Sequence, residues 1–190
     1  MAVVITGANR GIGLALVGTW LARGAEVIAT ARDVKLATEL NAMLANGKLR
    51  VLPLDVASDD SVKAFADAVG DATVDVLINN AGVSGGWDTL ADVSIDNILQ
   101  VFNINAVGSL RVTRALLPRV PKRTGKLIHM TSQMGSIDDN TSGGAYAYRM
   151  SKAALNIASK SLAVDLSGRG IISVVVHPGW VQTEIGGRSA

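Results

Sequence analysis

Short runs rich in Val, Ile and Leu alternate along the whole chain with segments of helical period, separated by polar or glycine-rich turns. That alternation constrains the fold more than any other feature. A helix that links two strands returns the second parallel to the first, and a series of such units builds a sheet covered on both faces. Strands are expected at Ala2–Thr6, Glu26–Ala31, Leu49–Asp55, Val74–Asn79, Lys126–Thr131 and Ile171–His177. Helices are expected at 11–23, 34–45, 58–69 (capped by Ser58), 94–119 (stopped by Pro121) and 145–166. Aromatic residues make up only 4% of the chain, which leaves small aliphatic side chains to fill the interior, as suits strands buried on both faces. The fold class is therefore α/β: one doubly wound parallel sheet over residues 1–190, in strand order 3-2-1-4-5-6.

Composition narrows the function by exclusion. A hydrophobic fraction of 48% against 18% charged residues supports a packed core. The net charge of +2, with no Lys/Arg cluster, gives no footprint for nucleic acid. The absence of cysteine excludes disulfides, thiolate catalysis and cysteine metal sites. His129 and His177 stand apart, without the carboxylate spacing of a metal site, and read as structural. No apolar stretch is long enough to span a bilayer, and the first residues lack a signal-peptide pattern. A soluble cytoplasmic protein without a membrane partner is expected.

Ligands on a doubly wound sheet sit at the carboxyl ends of the strands, where strand order reverses. Two motifs fall there. The first is Thr6-Gly7-Ala8-Asn9-Arg10-Gly11-Ile12-Gly13, between the first strand and its helix. Gly7 allows a tight turn, Gly11 lets a diphosphate approach the N–H groups of the helix start, and Gly13 lets helix and strand pack closely. The spacing GxxxGxG also suits a plain strand-to-helix turn; its place at the first βα junction favours phosphate binding. The second motif is Tyr148-Arg149-Met150-Ser151-Lys152. Positions i and i+4 share a helix face, so phenol and ammonium can address one point, and a cation there lowers a tyrosine pKa. An exposed helix face carrying both residues is the alternative. Tyr146 is a decoy, because Met150 stands where its cation would be.

Taken with Asp55-Val56, NNAG at 79–82, NINAVG at 103–108, TSQMG at 131–135 and PGWVQT at 178–183, these motifs resemble the short-chain dehydrogenase/reductase family. The likeness covers residues 2 to about 185 and is nearest to its C-factor-like, carbonyl-reductase-like branch, a Rossmann fold. It implies a catalytic tetrad of Asn105, Ser132, Tyr148 and Lys152. Tyr148 would exchange a proton with a carbonyl or alcohol oxygen that Ser132 holds. Lys152 would bind the nicotinamide ribose and depress the Tyr148 pKa, and Asn105 would hold a relay water through its backbone. Ser132 also suits strand-end turn chemistry, and Asn105 a helix kink; both readings stay open at this point.

The resemblance also implies the cofactor contacts. Gly7, Asn9, Arg10, Gly11, Ile12 and Gly13 would cradle the diphosphate. Asp55 and Val56 would lie along the adenine, and Asn79, Ala81 and Gly82 would border the cleft, partly as sheet stabilisers. Tyr148 and Lys152 would meet the ribose, and Pro178, Gly179, Val181 and Thr183 the nicotinamide. The second strand ends Thr30-Ala31-Arg32-Asp33, with alanine where an acid for the NAD ribose is expected. Arg32 and Arg10 suit a 2′-phosphate instead, so NADP(H) is the expected cofactor. NAD(H) remains open if both arginines are solvated charges and Asp33 takes the ribose. No metal is expected.

The expected function is hydride transfer between NADP(H) and a small-molecule carbonyl or alcohol, with an NAD(P)-binding signalling or redox-sensing protein as the alternative. Trp87 and Trp180 suit a substrate pocket or packing, and Gly85-Gly86 a flexible loop. The sequence stops soon after PGWVQT, without the substrate-covering lid and last strand of the family, which would leave the sixth strand an exposed apolar edge. An incomplete chain or a covering partner is the expectation drawn from that. The helices around 94–119 and 145–166 are those that pair in family dimers, so a homodimer is compatible with the sequence.

Overall fold

The computed structural model describes residues 1–181. Its strands are β1 (Ala2–Ile5), β2 (Glu26–Ala31), β3 (Leu49–Pro53), β4 (Val76–Asn79), β5 (Lys126–Met130) and β6 (Ile172–Val176). They form one sheet in the order β3-β2-β1-β4-β5-β6, parallel throughout, as the alternating pattern requires. Order reverses between β1 and β4, where Val4 pairs with Ile28 on one side and Leu77 on the other. The helices are α1 (Gly11–Ala22), α2 (Thr38–Ala42), α3 (Asp59–Val69), α4 (Ile95–Phe102), α5 (Gly108–Leu116) and α6 (Tyr146–Asp165).

Side chains of one strand point alternately to opposite faces, and both faces are filled. Val3 and Ile5 of β1 join Val27, Ile78, Val17, Leu21 and Leu40 in one core layer. Val4, between them, joins Ile28, Leu77, Leu127, Phe65, Val112 and Leu116 in the other. Each such buried aliphatic or aromatic side chain contributes roughly 1.5–3 kcal/mol over leaving it exposed.

The structure departs from the sequence expectation in two helices. The helix expected at 34–45 contracts to α2, because Asp33 Oδ1 accepts the N–H groups of Lys35 (2.9 Å) and Leu36 (3.4 Å) and closes a turn first. The helix expected at 94–119 is interrupted: Asn103–Val107 form a π turn in which Gly108 N donates to Asn103 O. The extra residue of a π turn shifts the helical phase, and such turns recur at functional sites. Here it carries Asn105. Among the described residues β6 lies at the edge of the sheet, and Ile172, Val174, Val175 and Val176 all retain substantial exposure.

Candidate active site

The glycine loop sits at the β1/β4 switch point, and its shape follows from contacts that only glycine permits. Gly7 has φ +62°, and a Cβ there would lie 2.7 Å from Ala81 Cα. A Cβ on Gly13 would lie 2.4 Å from Gly7 O. The loop is pinned by groups outside the glycine pattern. Asn80 Nδ2 donates to Thr6 O (3.0 Å) and Gly7 O (2.9 Å), while Thr6 Oγ1 accepts from Asn80 N and Ala81 N at 3.0 Å each. Thr30 O accepts from Ala8 N at 2.8 Å. Thr6, Thr30 and Asn80 thus belong to the site, although the glycine spacing did not single them out. The first two lie at strand ends and the third inside NNAG, so their motifs were readable and their partners were not.

The start of α1 has the character of an anion site. The first N–H groups of any helix lack intrahelical partners. At α3 and α4 they are met by Ser58, accepting from Ser61 N (3.2 Å), and Ser94, accepting from Asn97 N (3.3 Å), with Asp residues in both first turns. α1 has neither a side-chain cap nor an acid in its first turn, and Asn9, Arg10 and Gly11 lead into it exposed. Donors and helix dipole are left for a negative ligand, so the loop fits a dinucleotide diphosphate. Ile12 is partly buried behind it.

Across the switch point, α6 delivers Tyr148 and Lys152 one turn apart. Its start is built by Asp88, from the loop after β4: Asp88 O accepts from Ala145 N (2.9 Å) and Asp88 Oδ1 from Tyr146 N (2.7 Å). This holds Ala145 in the left-handed region, φ +48°. Lys152 is only 6% exposed. Its Nζ donates to Met130 O at 2.8 Å and lies 5.5 Å from the centre of the Tyr148 ring. Burial lowers its pKa to about 8.

Tyr148 behaves differently from the expectation. Burial raises the phenol above its ordinary value, a hydrogen bond from Ser132 works the other way, and the Lys152 ammonium is not among the causes. The physical reason is the half-buried setting of the phenol, which disfavours the phenolate more than its one polar neighbour favours it. Ser132 is presented at the end of β5, where its Oγ also accepts from Met134 N (3.2 Å) and starts a single 3-10 turn over Gln133–Gly135.

Asn105 is fully buried, and its side chain is locked. Oδ1 accepts from Val83 N, and Nδ2 donates to Val83 O and Ser151 Oγ, each at 2.9 Å. Ser151 in turn donates to Tyr148 O (2.8 Å), so the π turn, the segment that follows NNAG and the turn of α6 that carries Tyr148 are hydrogen-bonded in series. A Cβ on Gly82 would stand 3.2 Å from Asn105 Oδ1 and 3.7 Å from Lys152 Nζ, which places Asn105, Gly82 and Lys152 at one spot. Ser151 is a further residue that the sequence reading did not single out.

The remaining expected residues divide by position. Asp55 is half-buried at the end of β3, with Oδ1 accepting from Ala57 N (2.9 Å), beside the buried Val56. The Asn79 side chain does not face the cleft. It is buried between Thr113 Oγ1 (3.0 Å) and His129 Nδ1 (3.2 Å), and so keeps only the sheet-stabilising half of its expectation. Ala81 and Gly82 line the cleft side of the same turn. Arg32 is exposed at the end of β2, while Asp33 Oδ1 is committed to its own turn. Pro178, Gly179 and Val181 follow β6 on the same edge, and Thr183 lies outside the described residues. Trp87 is exposed, which argues against packing as its role, and Trp180 is exposed as well. Gly85 is no free loop: Asn97 Nδ2 donates to its carbonyl at 2.7 Å. No group of acidic or histidine side chains among the described residues is arranged to hold a metal.

A parallel six-stranded sheet with a glycine loop at the switch point, and a Tyr–Lys pair across it beside a serine, belongs to a recognised class. The sequence matches the short chain dehydrogenase family over residues 1–190, and the chain belongs to that family of oxidoreductases. Among its relatives, C-signal of Myxococcus xanthus is 55% identical over 132 residues, covering 68% of this chain and 78% of that protein. The carbonyl reductase Sniffer of D. melanogaster superposes with a TM-score of 0.94 at 35% identity, over 100% of this chain and 84% of that one. An NADPH-bound carbonyl reductase from chicken fatty liver gives 0.92 at 34% identity, over 98% and 78%.

Proposed function

We propose that this chain is an NADP(H)-dependent carbonyl reductase, with Tyr148 as its proton donor. The observation that carries the reading is the convergence of Tyr148, Ser132 and Lys152 beside a helix start left open to an anion. NADPH, when bound, supplies the hydride to the carbonyl carbon. Tyr148 gives its proton to the carbonyl oxygen, and Ser132 donates a hydrogen bond to the same oxygen and fixes it in place. Because burial raises the Tyr148 pKa, the phenol carries its proton at neutral pH, the form a reduction consumes. Lys152, held by Met130 O, would offer its remaining donors to the ribose. Asn105, whose side chain meets the same point beside Gly82, would hold through its backbone a water that returns a proton to the site. Preference for NADP rests on Arg32 at the end of β2, where Asp33 is already engaged by its own turn. Carbonyl reductases and a short-chain dehydrogenase/reductase of similar fold with NADPH or NADP bound support the same choice.

Tyr148→Phe should abolish NADPH consumption over a panel of aldehydes and ketones while leaving NADPH affinity in place; retained turnover would sink the reading. Arg32→Ala should weaken NADPH and spare NADH, measured by fluorescence titration, and an unchanged NADPH Kd refutes the cofactor assignment. The strong likeness to C-signal favours a second reading, an NAD(P)-binding signalling protein with little turnover. NADPH binding without consumption of any carbonyl on the panel would favour it. A cytoplasmic protein suits either reading, and no helix among the described residues is long and apolar enough to cross a membrane.

A further inference from the structure

Tyr148, Lys152 and Asn156 recur every four residues along α6, so they share one face, each a turn beyond the last. The first two are absorbed by the proposed chemistry; Asn156 is not. Its Nδ2 donates to Gly135 O at 3.2 Å, and its Oδ1 accepts from Thr131 Oγ1 at 2.6 Å. Gly135 O can only accept, so the amide has one orientation, and the Thr131 hydroxyl must be the donor at the other end. Thr131 and Gly135 are the residues that bracket the Ser132 turn, the one at the end of β5 and the other closing the single 3-10 turn.

We infer that Asn156 is a positioning residue that clamps the Thr131–Gly135 turn and thereby aims Ser132 at Tyr148. The turn needs such a clamp. Met134 N to Ser132 Oγ (3.2 Å), Gly135 N to Ser132 O (2.9 Å) and Ser136 N to Gln133 O (2.9 Å) are short-range. Thr131 N to Val176 O (2.9 Å) ties its start to β6, and Lys152 Nζ to Met130 O (2.8 Å) holds only the strand end before it. The Asn156 amide is therefore what joins both ends of the turn to α6. Gly135 lets the turn lie against that helix, because a Cβ there would stand 2.9 Å from Lys152 Cβ and 3.0 Å from Asn156 Nδ2. With Ser132 and Tyr148 held by the same helix, their separation is set by α6 and not by the long connection between β5 and α6. The role rests on the proposed part of Ser132 in catalysis.

The test exploits the effect of Ser132 on the phenol, which it pulls down in pKa. Tyr146 is the only tyrosine in the chain besides Tyr148, so in a Tyr146→Phe background the tyrosinate difference absorbance reports Tyr148 alone. Asn156→Leu, which removes both bonds at similar volume, should move the Tyr148 titration upward, and Ser132→Ala should do the same. The double variant should titrate with Ser132→Ala, since both act through one hydroxyl. Thr131→Val, which removes one bond and is gentler on folding, should give an intermediate upward shift. NADPH affinity should hold in every variant, because the glycine loop is separate. Benzaldehyde reduction should slow by about 10- to 100-fold in Asn156→Leu through kcat. If Ser132→Ala shifts the titration while Asn156→Leu and Thr131→Val stay with the parent, or if the shifts add in the double variant, the clamp is overturned. If Ser132→Ala itself leaves both titration and turnover unchanged, the reading of Ser132 fails, and the clamp with it.

Discussion

His129 shows how one residue can carry a pH dependence without doing chemistry. It is enclosed between β4 and β6, its Nδ1 meets Asn79 Nδ2, and burial lowers its pKa from 6.5 to about 4. Linkage sets the sign: between those values the unfolded chain binds the proton and the folded chain does not, so stability falls as pH drops from 6.5 to 4. The loss amounts to about 3 kcal/mol at most. Chemical denaturation of His129→Leu should show a flatter stability curve across that window than the parent; parallel curves would refute the assignment. Tyr148 adds a second residue-scale expectation. Its raised pKa favours the protonated phenol, so reduction should hold through neutral pH, whereas alcohol oxidation should climb with pH as the phenolate forms. Initial rates in both directions against pH check this, and oxidation that is fastest in acid contradicts it.

α1 separates two uses of glycine within one element. A Cβ on Gly13 would press on backbone atoms of Gly7 and Ala8, whereas one on Gly18 would meet nothing within 4 Å. Gly13→Ala should therefore push the loop away from α1 and cost about 1–3 kcal/mol, with weakened NADPH binding. Gly18→Ala should raise stability by about 0.5–1 kcal/mol, since it removes only backbone freedom. Thermal melts with and without NADPH distinguish the two, and equal effects would undo the argument. The π turn after α4 is the other element whose role is local. Asn105 leaves the regular helical ladder there and spends its amide on Val83 and Ser151, which ties three separate segments at the proposed proton relay.

At the scale of the whole molecule, two helices carry apolar stripes with no partner among the described residues. Ile95, Leu99 and Phe102 recur along α4, and Met150, Ile157 and Val164 recur every seven residues along α6. A homodimer through these helices is the proposed assembly, and Leu99→Asp should shift the sedimentation coefficient toward the monomer; a parent that sediments as a monomer at high concentration removes the proposal. The exposed β6 edge is a second apolar surface, distinct from these stripes.

The alternation of aliphatic runs with helical segments determined a parallel sheet covered on both faces, because parallel crossovers have one hand and apolar strands need cover on both sides; the structure decided where the strand order reverses. The glycine loop and the Tyr148–Lys152 pair were legible from spacing, since residues that must meet one ligand lie a fixed number of positions apart. Ser132 was legible only through the family resemblance, and the alanine at the end of β2 only as a missing acid. What the tertiary structure decided are interactions between residues distant in sequence: Asn80 reaching back to Thr6 and Gly7, Asp88 building the start of α6, Asn79 turning into the core, and Asn156 bracketing Ser132. It also decided the sign of the Tyr148 shift, because desolvation depends on what surrounds a phenol and not on the cation four residues along the helix. Sequence spacing fixes which side chains share a face of an element; only packing fixes what that face meets.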